Sequence, residues 1–217
     1  MPRIFTHRPS KVGIFGNSGY GKSQYQIRAT LASRSRYKFV FDHKREFETL
    51  ANAESCATCE EMDASVDSGW IVFNPHRMFP GRLSEAFDFF CDYAWQASEA
   101  LAGTKLFVAD ELALLTEGSK PIPLCRVLED GRSVALDVIL TSHGANSLHN
   151  RIRSQFTEVV TFYQSSKPAL DILRDEFGFN PDLVAGKEVN GQRVGGLERG
   201  EFIARSEAGR FQGGRVF

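Results

Sequence analysis

The stretch Gly16-Asn17-Ser18-Gly19-Tyr20-Gly21-Lys22-Ser23 decides how this chain is read. Its G-x-x-x-x-G-K-S spacing is that of the phosphate-binding P-loop, which needs a strand before it and a helix after it. Both are present in the pattern. Val12-Gly13-Ile14-Phe15 is an apolar run suited to a buried strand, and Lys22 to Arg34 reads as a helix. Glycines let the loop backbone wrap closely around an anion. Successive N–H groups and the helix N-terminus then point at phosphate oxygens. Gly16, Asn17, Ser18, Gly19, Tyr20, Gly21, Lys22 and Ser23 are thus expected to hold a nucleotide. Lys22 would reach the β- and γ-phosphates and Ser23 would ligate Mg²⁺. The competing reading is a Gly-rich turn with a snorkelling lysine.

A second stretch argues for the first reading. Lys105-Leu106-Phe107-Val108-Ala109-Asp110-Glu111 is an apolar strand ending in two carboxylates. Such groups at the end of a buried strand are costly without a partner or a metal. In P-loop NTPases an Asp at this place belongs to the Mg²⁺ site. Asp110 is therefore the second expected metal ligand. Glu111 is placed to polarise a water for in-line attack on the γ-phosphate. The alternative is a strand that ends at the surface.

Outward from these motifs, apolar strands alternate with helical patterns. Tyr37-Lys38-Phe39-Val40-Phe41 and Trp70-Ile71-Val72-Phe73 read as strands. So do Leu136-Asp137-Val138-Ile139-Leu140-Thr141-Ser142-His143 and Phe156 to Tyr163. Phe47 to Asp67 looks helical. Arg82 to Gly103 reads as a long helix with Leu83, Phe87, Phe90, Tyr93 and Ala94 at core spacing. Leu124 to Ser133 and Pro168 to Phe177 read as shorter helices. Leu112 to Pro123 reads as a loop. This alternation argues for an α/β fold with a mainly parallel sheet flanked by helices. The cluster Asp42-His43-Lys44-Arg45-Glu46 falls at the carboxyl end of its strand, the edge where open α/β sheets bind ligands. His143, at the tip of another strand, is placed to sense the γ-phosphate. A satisfied terminal histidine is its alternative.

The 217 residues suit one domain, 1–217. Met1 to Lys11 is basic and reads equally as a docking arm or an edge strand. From Gly186 the chain is rich in Gly and Arg, with strand-like pieces Glu201–Arg205 and Arg215–Phe217, and 186–217 reads as terminal β-hairpins. A hydrophobic content of 42% supports a real core. A net charge of −1 means that any nucleic-acid contact is local. The polar, basic start is unlike a secretory signal, and no apolar run approaches a membrane span. A soluble, cytoplasmic protein is the expectation. Four cysteines are too few for a disulfide framework. Cys56 and Cys59 lack a second pair for zinc and read as small residues on a helix.

A Glu directly after the Asp, followed by a polar-tipped strand, resembles the ASCE division of P-loop NTPases with its RecA-like core. More specifically, the chain resembles the FtsK–HerA superfamily of DNA-pumping ATPases. The resemblance is carried by the P-loop, by Phe41-Asp42-His43-Lys44-Arg45-Glu46-Phe47, and by Val108-Ala109-Asp110-Glu111 as Walker B. Glu129-Asp130-Gly131-Arg132-Ser133 and Val138 to His143 carry it further. His143 stands where the family more often has Gln. Without room for added domains, the chain looks most like genome-packaging ATPases of tailless, membrane-containing icosahedral viruses.

That resemblance implies an ATPase that uses ATP and Mg²⁺ to move double-stranded DNA into a preformed capsid. It implies a homo-oligomeric ring, pentameric or hexameric, with capsid vertex or packaging proteins as partners, in the host cytoplasm or at the packaging vertex of a virion. Lys22, Ser23, Asp110 and Glu111 would act within one subunit, with His143 at the family's sensor position. Arg132, at the family's Gly-Arg position, would act on its neighbour's nucleotide. Arg126 and Arg153 are further candidates for that role. His76 to Arg82 and Thr116 to Lys120 are candidate DNA-contacting loops. Two other classes compete: a small P-loop kinase, which would need a lid and an acceptor pocket, and a slow nucleotide switch, which gains little from a base such as Glu111.

Overall fold

A computed structural model describes residues 9–116, 122–189 and 191–217. Its strands are β1 (Lys11–Phe15), β2 (Tyr37–Phe41), β3 (Ser55–Cys56), β4 (Trp70–Phe73), β5 (Lys105–Ala109) and β6 (Leu136–Ser142). They continue with β7 (Glu158–Thr161), β8 (Lys187–Val189), β9 (Gln192–Val194), β10 (Glu201–Arg205) and β11 (Phe211–Arg215). The helices are α1 (Lys22–Ala32), α2 (Glu46–Leu50), α3 (Cys59–Ala64), α4 (Leu83–Ala100) and α5 (Leu112–Leu115), then α6 (Ile122–Asp130), α7 (Asn150–Arg153), α8 (Lys167–Asp175) and α9 (Pro181–Ala185). Nine strands form one sheet in the order β11-β10-β7-β1-β6-β5-β2-β4-β3. From β7 to β3 every pairing is parallel; β10 and β11 add an antiparallel edge. The mainly parallel sheet with C-terminal hairpins is the one the sequence pattern predicts.

The central strands are mostly apolar, as suits a sheet covered on both faces, with polar residues toward their ends. Successive side chains point to opposite faces, and the strands divide accordingly. Phe39, Phe41, Phe73 and Phe107 face α4, which buries Phe87, Phe90 and Ala94 against them, and Phe15 joins the same cluster against Phe156 and Phe177. Ile14, Val40, Val72, Val108 and Ile139 face the other layer, with Ile27 of α1. The predicted core stripe of the long helix is thus real, with Leu83 and Tyr93 on its half-buried margin. Parallel pairing puts all the strand ends on one edge. The loops after β1, β2, β5 and β6 therefore converge there.

Four local expectations change. The acid-rich stretch 47–67 is not one helix: α2 ends at Leu50, β3 follows, and α3 begins at Cys59. Asn52 adopts φ 49° at the break, and Ser55 and Cys56 pair with Val72 and Phe73 of β4. Cys56 is therefore a strand residue and Cys59 the first of a helix, not two residues of one helix. Leu112–Leu115 is helical, not loop, and Glu117 to Pro121 lie outside the described residues, as do Met1 to Arg8. The last strand is Phe211–Arg215, earlier in the chain than the expected Arg215–Phe217.

Candidate active site

The segment Gly16–Ser23 links β1 to α1 at the carboxyl edge. Gly16, Gly19 and Gly21 take φ 151°, 79° and 111°, values that residues with a Cβ rarely adopt. Gly16 also lies against Phe162, whose Cβ would be 2.6 Å from an added one. The loop is held from outside. Asn17 N donates to Tyr163 O at 2.8 Å, Asn17 Nδ2 to Ser165 Oγ at 2.8 Å, and the Tyr20 ring stacks on Tyr163 with centroids 4.7 Å apart. Lys22 folds back so that its ammonium donates to Asn17 O at 3.0 Å. It is buried, and burial lowers its pKa, with Asp110 and Glu111 pulling the other way. A buried ammonium in a Gly-rich loop at the start of a helix is a seat for an anion.

Across the loop stand the two carboxylates that end β5. Asp110 accepts from the Thr141 hydroxyl of β6 and, at its Oδ1, from Glu111 N at 2.9 Å. Ser23 Oγ lies 3.4 Å from Asp110 Oδ2. Burial pushes the Asp110 pKa up, but Thr141 and Lys44 outweigh it and the group ends below the ordinary value. Glu111 adopts φ 51°, in the left-handed region, a strained placement for a residue with a Cβ. That turn aims its carboxylate at the cavity. His143 Nε2 lies 2.9 Å from Glu111 Oε1. Glu111 is likewise pushed up by burial and brought down further by Lys44.

The polar cluster after β2 has divided labour. The Asp42 carboxylate accepts from the N–H groups of Glu46, Phe47 and Glu48 at 2.8, 2.9 and 3.1 Å, which caps α2. His43 lies buried, Nε2 3.9 Å from Glu111 Oε2, and burial lowers its pKa, so it is neutral at pH 7. Lys44 reaches Asp110 Oδ2 at 3.1 Å and Glu111 Oε1 at 2.7 Å. Burial lowers its pKa, and the two carboxylates more than reverse that. Sequence reading placed this cluster at the ligand edge but gave Lys44 no partner. Thr141 belongs to the strand read as polar-tipped, but the reading gave a role only to His143 at its end.

Lys22, Ser23, Asp110, Glu111, His143 and Lys44 thus line one cavity of about 250 Å³. Oxygen donors such as Ser23 Oγ and Asp110 Oδ2 suit Mg²⁺, and a cationic Lys44 already resting on Asp110 marks the place as one that takes positive charge. Arg132 is elsewhere. It lies in the 3₁₀ turn Gly131–Val134 that enters β6 from the opposite edge of the sheet. β6 alone spans seven residues, on the order of 20 Å of strand, so Arg132 cannot meet its own loop. It is exposed, and its side chain has no ion pair or hydrogen bond among the described residues. The other candidates are committed. Arg153 is paired with Glu176 at 2.7 Å, and Arg126 stacks over Trp95 at 4.6 Å.

The sheet order, the loop after β1 and the carboxylates after β5 are arranged as in the P-loop NTPase fold. No family model and no curated protein matches the sequence. Among solved structures, the chain is similar to the genome packaging NTPase B204 from Sulfolobus turreted icosahedral virus 2 in complex with ATP-gammaS. The TM-score is 0.63 at 16% identity over 96% of this chain and 98% of that one. It is similar to the B204 DNA-packaging ATPase from Sulfolobus turreted icosahedral virus at TM-score 0.62, 16% identity, 96% of this chain and 98% of that one. Thermomonospora curvata EccC (ATPases 2 and 3) aligns at TM-score 0.61 and 13% identity over 95% of this chain but 36% of that one. At these identities the likeness is one of fold.

Proposed function

We propose that residues 1–217 form one P-loop ATPase domain that hydrolyses ATP to drive double-stranded DNA into a preformed viral capsid. The observation that carries the reading is Glu111, an ionised carboxylate that shares the cavity with the phosphate loop from the end of β5, one strand beyond β6. A kinase has no use for a base aimed at water beside the γ-phosphate, and a switch gains little from one. The coarser part, an ATPase, is favoured by site chemistry. The finer part is supported by the fold likeness to packaging ATPases.

The residues take these roles. Gly16 to Gly21 offer backbone N–H groups to the phosphates, and the Lys22 ammonium offsets their charge. Ser23 and Asp110 would hold Mg²⁺, which would neutralise charge on the terminal phosphates. Glu111 takes the proton from the attacking water, its carboxylate set by Lys44 and His143. Arg132 reaches a neighbour's nucleotide and stabilises the charge that develops there. Its place on the edge opposite its own loop favours a head-to-tail ring. The loops after β4 and β5 emerge on the same edge as the site. His76 to Arg82 and Thr116 to Lys120 are our candidates to touch DNA phosphates, although Glu117 to Lys120 lie outside the described residues. Among the described residues no helix is long and apolar enough to cross a membrane. We place the motor in the host cytoplasm, meeting a packaging vertex.

The test is steady-state ATP hydrolysis with and without long duplex DNA, beside Glu111→Gln as a blank. Stimulation by DNA that the blank lacks supports the motor. Phosphate transfer to a small acceptor without hydrolysis overturns it.

A further inference from the structure

The loop makes the floor of the cavity and the carboxylates one wall. The wall beside Gly21 belongs to neither. It is made by Arg199 and Phe217, which flank the two ends of the β10–β11 hairpin. Those ends are tied to the loop and its helix. Gly200 N donates to Tyr20 O at 3.0 Å, Val216 N donates to Gly200 O at 2.8 Å, and the Arg28 guanidinium donates to Val216 O. The ties bring the Phe217 ring against the loop. A Cβ on Gly21 would lie 3.4 Å from Phe217 Cε1, and one on Gly200 2.8 Å from Cε2. The Arg199 guanidinium sits 5.9 Å from the ring centroid. Yet Phe217 is 58% exposed. An aromatic ring anchored through its neighbour Val216 and packed on Gly200, but open on the rim of a polar cavity, is a surface awaiting a partner.

The charge layout says which part of a ligand arrives there. Asp110, Glu111 and His143 stand beyond Lys22 on the β5 and β6 side, where the terminal phosphate must lie if Glu111 is to serve it. A triphosphate running back along the loop leaves it past Gly21, beside Arg199 and Phe217. A nucleotide carries its aromatic group at that end. We propose that Phe217 is the stacking seat of the nucleobase, with Arg199 beside the sugar and the innermost phosphate. This rests on the ATPase reading above and adds the half of the site that binds the nucleoside. The face of a phenyl ring is blind to which purine lies on it, so ATP and GTP are both accepted. The hairpin, far from the loop in sequence, thereby becomes part of the nucleotide site.

The experiment is calorimetric titration of ATP, GTP and inorganic tripolyphosphate, each with Mg²⁺, into wild type, Phe217→Ala, Phe217→Trp and Leu50→Ala. Leu50 lines the same cavity from the opposite side and is 52% exposed. Phe217→Ala is expected to weaken ATP and GTP about tenfold and to leave tripolyphosphate unchanged, with Phe217→Trp restoring both nucleotides and Leu50→Ala neutral. The proposal is overturned if Phe217→Ala leaves ATP unchanged or weakens tripolyphosphate equally. Loss in Leu50→Ala instead overturns it too, because the base then lies on the other wall. Wild type that binds tripolyphosphate as tightly as ATP also overturns it while sparing the phosphate site. Wild type that binds neither removes the ATPase reading and this one with it.

Discussion

The Lys44 ammonium lies 2.7 Å from Glu111 Oε1 and 3.1 Å from Asp110 Oδ2, so one cation bridges both carboxylates at the end of β5. Two adjacent carboxylates without it would repel each other in a poorly solvated cavity. Lys44 therefore stabilises the nucleotide-free protein and sets the direction of Glu111. Lys44→Ala is expected to cost about 1–2 kcal/mol, since the ammonium is partly exposed, and so to lower Tm by about 5 °C. The sign with pH follows from the carboxylates. Both have pKa values below their ordinary ones, so their contribution is full above the unfolded values and is lost as pH falls through the folded ones. The Tm gap between wild type and Lys44→Ala should be widest near pH 7 and close in acid. A gap that does not change with pH would mean that Lys44 acts through packing alone.

The four cysteines should differ sharply in reactivity. Burial raises the thiol pKa of Cys56 and Cys125, and raises that of Cys91 well above its ordinary value. Only thiolate reacts, so these three should be slow in the native state at pH 8. Cys59 is half-buried at the start of α3. A disulfide reagent should find one fast thiol, lost in Cys59→Ser, and four after unfolding. Two fast thiols in the native protein would put the β3–α3 segment in doubt.

Gly13 is set by packing, in the middle of β1. A Cβ there would lie 2.7 Å from the Phe156 ring. Its pairings with Leu140 and Val159 leave the strand no freedom to retreat. Gly13→Val should destabilise by about 1–3 kcal/mol through overpacking, read as a lower denaturant midpoint. Phe156→Leu in the same chain should recover part of the loss, because it opens the space the new side chain needs.

Much of this was legible because it is local. Strands buried on both faces read as apolar runs, and Gly16, Gly19 and Gly21 announce backbone that other residues avoid. What failed depends on distant partners. The break after Leu50 exists because Ser55 and Cys56 find the free edge of β4, which composition does not state. The shifted last strand has the same cause. Arg205 pairs with Phe211 and Glu201 with Arg215, and the Phe202 ring covers Gly214, where a Cβ would be 2.5 Å from it. Two glycines in an exposed strand look like a turn until that ring is known. Lys44 and Thr141 escaped assignment likewise, since their worth lies in reaching Asp110.

The proposed division of the site between subunits has a direct test in mixing. Arg132→Ala should bind ATP normally and lose turnover by about 10³-fold, the scale of a trans-acting arginine. Glu111→Gln should also bind and stall, losing about 10²–10⁴-fold. Each variant alone has every interface defective. In a ring assembled from both, some interfaces join an intact Glu111 to an intact Arg132 from the neighbour, and hydrolysis should return to a fraction of wild type. The recovered rate should peak near equal proportions, because either excess removes such interfaces. If Arg132 acted on its own subunit's nucleotide, no mixture would recover activity, since every subunit would still carry one lesion. If Arg132→Ala alone turned over normally, Arg132 would be a surface residue and the trans arginine would have to be sought elsewhere.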